Sequence, residues 1–121
     1  MILVDTSVWV DHFRRKDETL ARLLDGGGVV MHRFVLGELA MGGLRNRSTV
    51  LALMQDLPAA KHATDDEVLH FIERQRLMGA GIGYLDAHLL ASAALTPSTA
   101  LWTRDRRLAA VARRLNLEAA L

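Results

Sequence analysis

Ile2-Leu3-Val4-Asp5-Thr6-Ser7-Val8-Trp9 decides how the rest of the chain is read. Ile2 to Val4 is a short apolar run closed by an acid, the length and composition of a buried strand, and Thr6 or Ser7 can cap a short helix running through Phe13. A strand that ends in a carboxylate and turns at once into a helix is a building block of parallel α/β sheets, and the remaining sequence repeats the alternation. Asp17 to Asp25 places Leu20, Leu23 and Leu24 on one helical face and stops at Gly26-Gly27-Gly28. A strand, Val29 to Met31, follows.

From Arg33 to about Leu44 the spacing of Phe34, Leu36, Leu39 and Ala40 predicts a helix carrying Glu38 among apolar neighbours. Ser48 is positioned to cap a helix to Gln55, which Pro58 breaks before a weak strand at Lys61 to Ala63. Thr64-Asp65-Asp66-Glu67 has the form of a capping box, with helical spacing continuing to Met78. After the connector Gly79-Ala80-Gly81-Ile82-Gly83, a helix is expected from Tyr84 to Leu95 with Asp86 in its first turn. Ala100 to Thr103 reads as a strand, Asp105 opens a last helix ended by Asn116, and Leu117 starts an edge strand. The expected fold is a single α/β domain over residues 1–121, a central parallel sheet with helices on both faces.

Composition narrows the functional classes. With 121 residues and half of them hydrophobic, one sizeable core is possible. The balance of 15 Lys plus Arg against 14 Asp plus Glu leaves a net charge of +1, so any nucleic-acid surface is local. No cysteine is present, which excludes disulfides and thiolate metal sites and is compatible with a reducing cytoplasm. The start lacks a basic leader and no apolar run approaches the ~20 residues that span a bilayer, so a cytoplasmic protein is expected. A mean hydropathy of +0.13 is high for a small monomer and points to apolar surface covered by another chain.

In α/β sheets, ligands bind beyond the carboxyl ends of the strands, where Asp5 and Asp105 both fall. Asp86, in the first turn of its helix, and Glu38, on a helix after the second strand, could reach the same edge, which their sequence positions alone do not fix. Four carboxylates brought together raise one another's pKa unless a cation intervenes, and oxygen ligands without sulfur favour Mg²⁺ or Mn²⁺. One or two such ions activate water and stabilise a departing oxygen in phosphodiester hydrolysis. Thr6, Ser7 and Thr103 flank the acids and can orient a carboxylate, a water or a phosphate, or serve as helix caps.

Asp5-Thr6-Ser7-Val8-Trp9, Leu36-Gly37-Glu38-Leu39, Tyr84-Leu85-Asp86-Ala87-His88-Leu89-Leu90-Ala91-Ser92-Ala93 and Leu101-Trp102-Thr103-Arg104-Asp105-Arg106-Arg107-Leu108 together resemble the PIN-domain ribonucleases, specifically the VapC toxins of type II toxin-antitoxin systems. The resemblance implies a PIN-like fold, a homodimer, Mg²⁺-dependent endonucleolytic cleavage of RNA and a cognate VapB-type antitoxin. It also implies that Asp5, Glu38, Asp86 and Asp105 form the acidic quartet, with Asp5 and Asp86 as direct metal ligands and Thr103 as a supporting hydroxyl. In that family the antitoxin's C-terminal segment lies in an apolar groove, for which Trp9, Phe13, Leu20 and Leu24 are the candidates, unless they are ordinary core. Arg45, Arg47, Arg104, Arg106 and Arg107 are candidates for holding RNA, expected to be single-stranded so that a scissile phosphate can enter a narrow pocket.

Three alternatives differ in testable ways. A histidine-driven nuclease would draw on His12, His32, His62, His70 and His88, yet no two stand at motif-like spacing, and a surface or packing role is expected for His88. A phosphatase with Asp5 as nucleophile would want a second aspartate where Ser7 stands. A non-catalytic nucleic-acid or partner-binding module would keep the acids as structural residues around a structural metal site.

Overall fold

In a computed structural model describing residues 1–121, β1 (Ile2–Val4) is the middle strand of a three-stranded parallel sheet, between β2 (Val29–Val30) and β3 (Ala100–Trp102). Leu3 pairs with Val30 on one side and with Leu101 on the other. Leu3 and Val4 are both fully buried. Because successive strand residues point to opposite faces, both faces of the sheet are covered, which is why β1 reads as a continuous apolar run rather than an alternating one.

Seven helices supply that cover: α1 (Thr6–Arg14), α2 (Glu18–Asp25), α3 (Arg33–Met41), α4 (Arg47–Gln55), α5 (Asp65–Gln75), α6 (Tyr84–Leu95) and α7 (Arg106–Arg114). Their starts follow local chemistry. Asp5 caps α1, Asp17 accepts from the Leu20 N–H at the head of α2, and the Thr64–Glu67 capping box at the head of α5 is complete. The middle of α6 is buried on every side from Ala87 to Ala93, so this helix runs through the core while α7 lies on it with one apolar face.

Some boundaries differ from the sequence expectation. No strand forms at Lys61 to Ala63. The backbone pairing on that edge falls earlier, as a parallel bridge between Met31 and Ala59, and the Lys61 N–H is taken by the Thr96 hydroxyl. Ser48 does not cap α4. The cap position is Asn46, in the left-handed conformation at φ 51° with no side-chain bond to the helix, and Arg47 is already helical. α3 stops at Met41 because Gly42 and Gly43 follow, and α5 stops at Gln75, where Arg76 turns left-handed at φ 53°. The expected edge strand at Leu117 is a short bridge from Glu118 to Leu101. No helix is long and apolar enough to cross a membrane.

Candidate active site

The carboxyl ends of β1 and β3 lie side by side, because the ladder continues one step past β1 with the Asp5 N–H donating to the Trp102 carbonyl at 2.9 Å. Asp5 and Thr103 therefore meet although 98 positions separate them, and the Thr103 hydroxyl donates to Asp5 Oδ2 at 2.7 Å. Ser7, one residue into α1, donates to the same oxygen at 2.9 Å, and the Thr6 N–H donates to Asp5 Oδ1 at 2.8 Å.

The two hydroxyls have no proton left over. Ser7 Oγ accepts the Arg104 N–H at 3.1 Å, and Thr103 Oγ1 accepts the Asp105 N–H at 3.1 Å. Each therefore gives its single proton to Asp5 and receives one from the backbone, so their own 3.4 Å approach is a packing contact. Neither acts as a helix cap. The arrangement holds the buried Asp5 carboxylate by three donors, and one of its four lone-pair positions is left without a protein partner.

The other acids follow the same pattern. Glu38, on α3, accepts the Thr6 hydroxyl on Oε1 at 2.7 Å, which ties the first helix to the third. Asp105 caps α7, its Oδ1 accepting the Arg107 and Leu108 N–H groups at 2.9 and 3.0 Å. Asp86 Oδ2 accepts the Gly83 N–H at 3.2 Å across the first turn of α6. In all three the second carboxylate oxygen has no protein donor. One oxygen fixes the side chain and the other faces no competitor, a donor set suited to a hard divalent cation completed by waters.

Asp86 lies within the field of the other three acids. Burial pushes the Asp86 carboxyl above the ordinary aspartate value, the Gly83 N–H opposes that, and the charges of Asp5, Asp105 and Glu38 raise it further. No three acidic or histidine side chains close tightly enough to be a preformed metal cage. Divalent ions of the Mg²⁺ type are commonly held by one or two carboxylates and water, so the quartet fits such an ion without a cage.

The PIN domain family profile matches residues 2–114. The chain belongs to the PIN-domain family. Among curated relatives of this PIN domain, "Ribonuclease VapC32" of Mycobacterium tuberculosis is 47% identical over 110 residues, 91% of this chain and 89% of the relative. The same figures hold for the protein from strain CDC 1551 / Oshkosh and for that from strain ATCC 25618 / H37Rv.

The arginine expectations divide. Arg104 is not free: Nε bonds Asp11 at 2.7 Å, a terminal nitrogen bonds Asp17 at 2.8 Å, and the guanidinium lies over the Trp102 ring. The Arg47 guanidinium donates to the Ala40 carbonyl at 2.6 Å, bracing α4 against α3. Arg106 and Arg107 are exposed near the acids, with the Arg107 side chain lying along Gly81. Arg45 lines a cavity beside Glu38, together with Arg14, which sequence reasoning missed. The signal for Arg14 was present: it follows Val10 by one helical turn and so shares its face.

Of the residues expected to form an apolar groove, Trp9 and Leu20 are fully buried and belong to the core. Phe13 stacks on Trp9 at 5.8 Å between centroids and stays partly accessible, as does Leu24. The histidines build no catalytic pair. His32, His62 and His88 pack against Phe34 and against one another, and His88 pairs with Asp65.

Proposed function

We propose that this PIN domain is a metal-dependent endoribonuclease and the toxin of a VapBC-type toxin-antitoxin pair, cutting single-stranded segments of RNA. Asp5, Glu38, Asp86 and Asp105 hold Mg²⁺, for which Mn²⁺ can substitute. The ion, when bound, supplies the Lewis acidity that activates water and stabilises charge on the departing oxygen. The chain's own residues do the rest. Ser7, Thr103 and the Thr6 N–H fix the Asp5 carboxylate, Thr6 fixes Glu38, and the Gly83 N–H fixes Asp86. Orientation from outside the ligand set is what sets metal affinity in such sites.

The observation that carries this reading is geometric: Asp5, Glu38, Asp86 and Asp105, from different parts of the chain, are each fixed by hydrogen bonds while Glu38, Asp86 and Asp105 each keep one carboxylate oxygen without a protein donor. The identity of 47% to a named ribonuclease supports the same substrate class. A cognate VapB-type antitoxin is the expected partner, since a cytoplasmic nuclease with general RNA access needs a neutralising protein. Exposed Met41, Leu53, Leu69, Met78 and Leu85 are compatible with a homodimer.

Purified protein, free of other chains, tests the proposal on structured and unstructured RNA with Mg²⁺ or with EDTA, alongside Asp5→Asn and Asp86→Asn. Cleavage confined to wild type with metal is expected. Full activity in EDTA or in both variants overturns it.

A further inference from the structure

A cavity of about 630 Å³ opens beside Glu38, between α1 on one side and α3, the Gly42-Gly43 turn and α4 on the other. Its walls combine Val10, Phe13, Leu44 and Val50 with Arg14 and Arg45. A volume of this order is that of a small-ligand site, and apolar walls with a few charged groups are its usual lining.

Arg14 and Arg45 are the two arginines that line the cavity, and neither is tied to the fold as several other arginines are. Arg104 is held by Asp11 and Asp17, Arg113 by Glu118, and Arg47 and Arg114 by backbone carbonyls. Arg14 and Arg45 enter none of the chain's ion pairs, although Glu38 lines the same cavity. Two exposed, unneutralised guanidinium groups on an apolar-walled cavity match the chemistry of a nucleotide, with a phosphate at the rim and a base within. Glu38 then marks the end of the cavity that adjoins the scissile bond.

We infer that this cavity is a nucleotide subsite for single-stranded RNA, in which Arg14 and Arg45 hold the phosphates flanking one nucleotide and the Phe13–Val50 walls receive its base. The inference rests on the ribonuclease reading above and extends it to residues outside the acidic quartet. Duplex RNA cannot use the site, because its bases are stacked and paired within the helix.

The test measures binding of a short end-labelled single-stranded RNA of mixed sequence by fluorescence anisotropy in EDTA, and cleavage of the same RNA with Mg²⁺. Arg14→Ala and Arg45→Ala are each expected to weaken binding about three- to tenfold and to flatten the salt dependence of log Kd by about 0.7, the increment of one lost phosphate contact on a single strand. In cleavage, KM rises correspondingly while kcat stays within about twofold, since neither residue touches the reacting atoms. Val50→Trp, which fills the cavity without changing charge, is expected to weaken binding and leave the salt slope unchanged. Arg113→Ala serves as the control with wild-type binding.

Wild-type affinity and slope in both arginine variants overturn the inference while leaving the nuclease reading intact. Unchanged RNA binding combined with loss of a co-expressed antitoxin assigns the cavity to a protein segment and also overturns it. A wild-type chain that neither binds nor cuts the RNA overturns the nuclease reading and the inference together.

Discussion

Thr103 donates its hydroxyl to Asp5 Oδ2 at 2.7 Å and accepts the Asp105 N–H at 3.1 Å, so one small side chain at the end of β3 orients the acids of two different strand ends. Its role is positional: it holds a carboxylate still and keeps one proton donor on the buried side of the site. Thr103→Val keeps the shape and removes both bonds. The Mg²⁺ concentration giving half-maximal cleavage is expected to rise about 10- to 100-fold, the usual consequence of losing an outer orienting group, and Thr103→Ser restores it. An unchanged Mg²⁺ titration in Thr103→Val refutes this role.

Asp86 links pH, metal and stability. Burial, then the neighbouring acids, raises its carboxyl above the unfolded value, so the folded chain binds this proton more tightly than the unfolded one. The resulting stabilisation is present below the unfolded pKa and is lost as pH rises through the raised folded value, leaving a charge penalty at neutral pH in the absence of metal. Asp86→Asn is therefore expected to melt at higher temperature than wild type at neutral pH in EDTA, with the difference closing in acid. Mg²⁺ should raise the wild-type Tm, shift the variant less, and support cleavage at least about 100-fold slower in the variant. Thermal scans with equal Tm values in EDTA would contradict the electrostatic account.

Arg104 stands beside the acids in sequence yet serves the fold, joining the start of α7 to Asp11 on α1 and to Asp17 at the head of α2. Its side chain is 40% exposed, which limits each pair to a fraction of a kcal/mol. Arg104→Ala is expected to cost about 1 kcal/mol in total, a fall of about 4 °C in Tm that shrinks at high salt. RNA affinity should change less than in the Arg14 and Arg45 variants. A large loss of RNA binding with unchanged Tm would reverse the assignment.

His32 makes the fold sensitive to acid. Its Nδ1 accepts the Phe34 N–H at 3.0 Å, which places the ring proton on Nε2, 3.0 Å from Ser92 Oγ. Burial, then the charges of His62, His88 and Arg33, lowers its pKa to about 4. A base whose folded pKa is depressed stabilises the folded chain fully above the unfolded value near 6.5 and loses that contribution as pH falls toward about 4. Unfolding midpoints should therefore drop through this window, and His32→Gln should flatten the slope. Ser92→Ala, which strands the buried Nε2 proton, is expected to cost about 1–3 kcal/mol by denaturant titration. A Tm independent of pH between these limits would remove the explanation.

The local signals proved reliable where the chemistry is local. The Thr64–Glu67 capping box, Tyr84 to Leu95 as a helix, and Asp5 and Asp105 at strand-to-helix turns all follow from residues within a few positions of one another. The differences have two sources: Asn46 and Arg76 turn left-handed, moving the start of α4 and the end of α5 in ways that apolar spacing does not report, and elsewhere a distant partner intervenes. Lys61 to Ala63 was expected to be a strand, but its N–H is claimed by Thr96, and Pro58 to Ala60 reach Met31 first. Trp9 and Leu20 carry the same helical periodicity as a surface groove would require, and only packing puts them in the core.

The order of helices along the chain, the Thr64–Glu67 capping box, the absence of thiolate chemistry and the order of the four candidate acids are all legible in the sequence alone. These rest on hydrophobic period, side-chain type and short-range hydrogen bonding, which act over one or two helical turns. The tertiary structure alone decided that Thr103 holds Asp5, that Arg104 is occupied by Asp11 and Asp17, and that Arg14 and Arg45 remain free beside Glu38. Whether a guanidinium holds the fold or a substrate depends on which carboxylates lie within hydrogen-bond reach of it in space. That proximity is set by the packing of the whole chain.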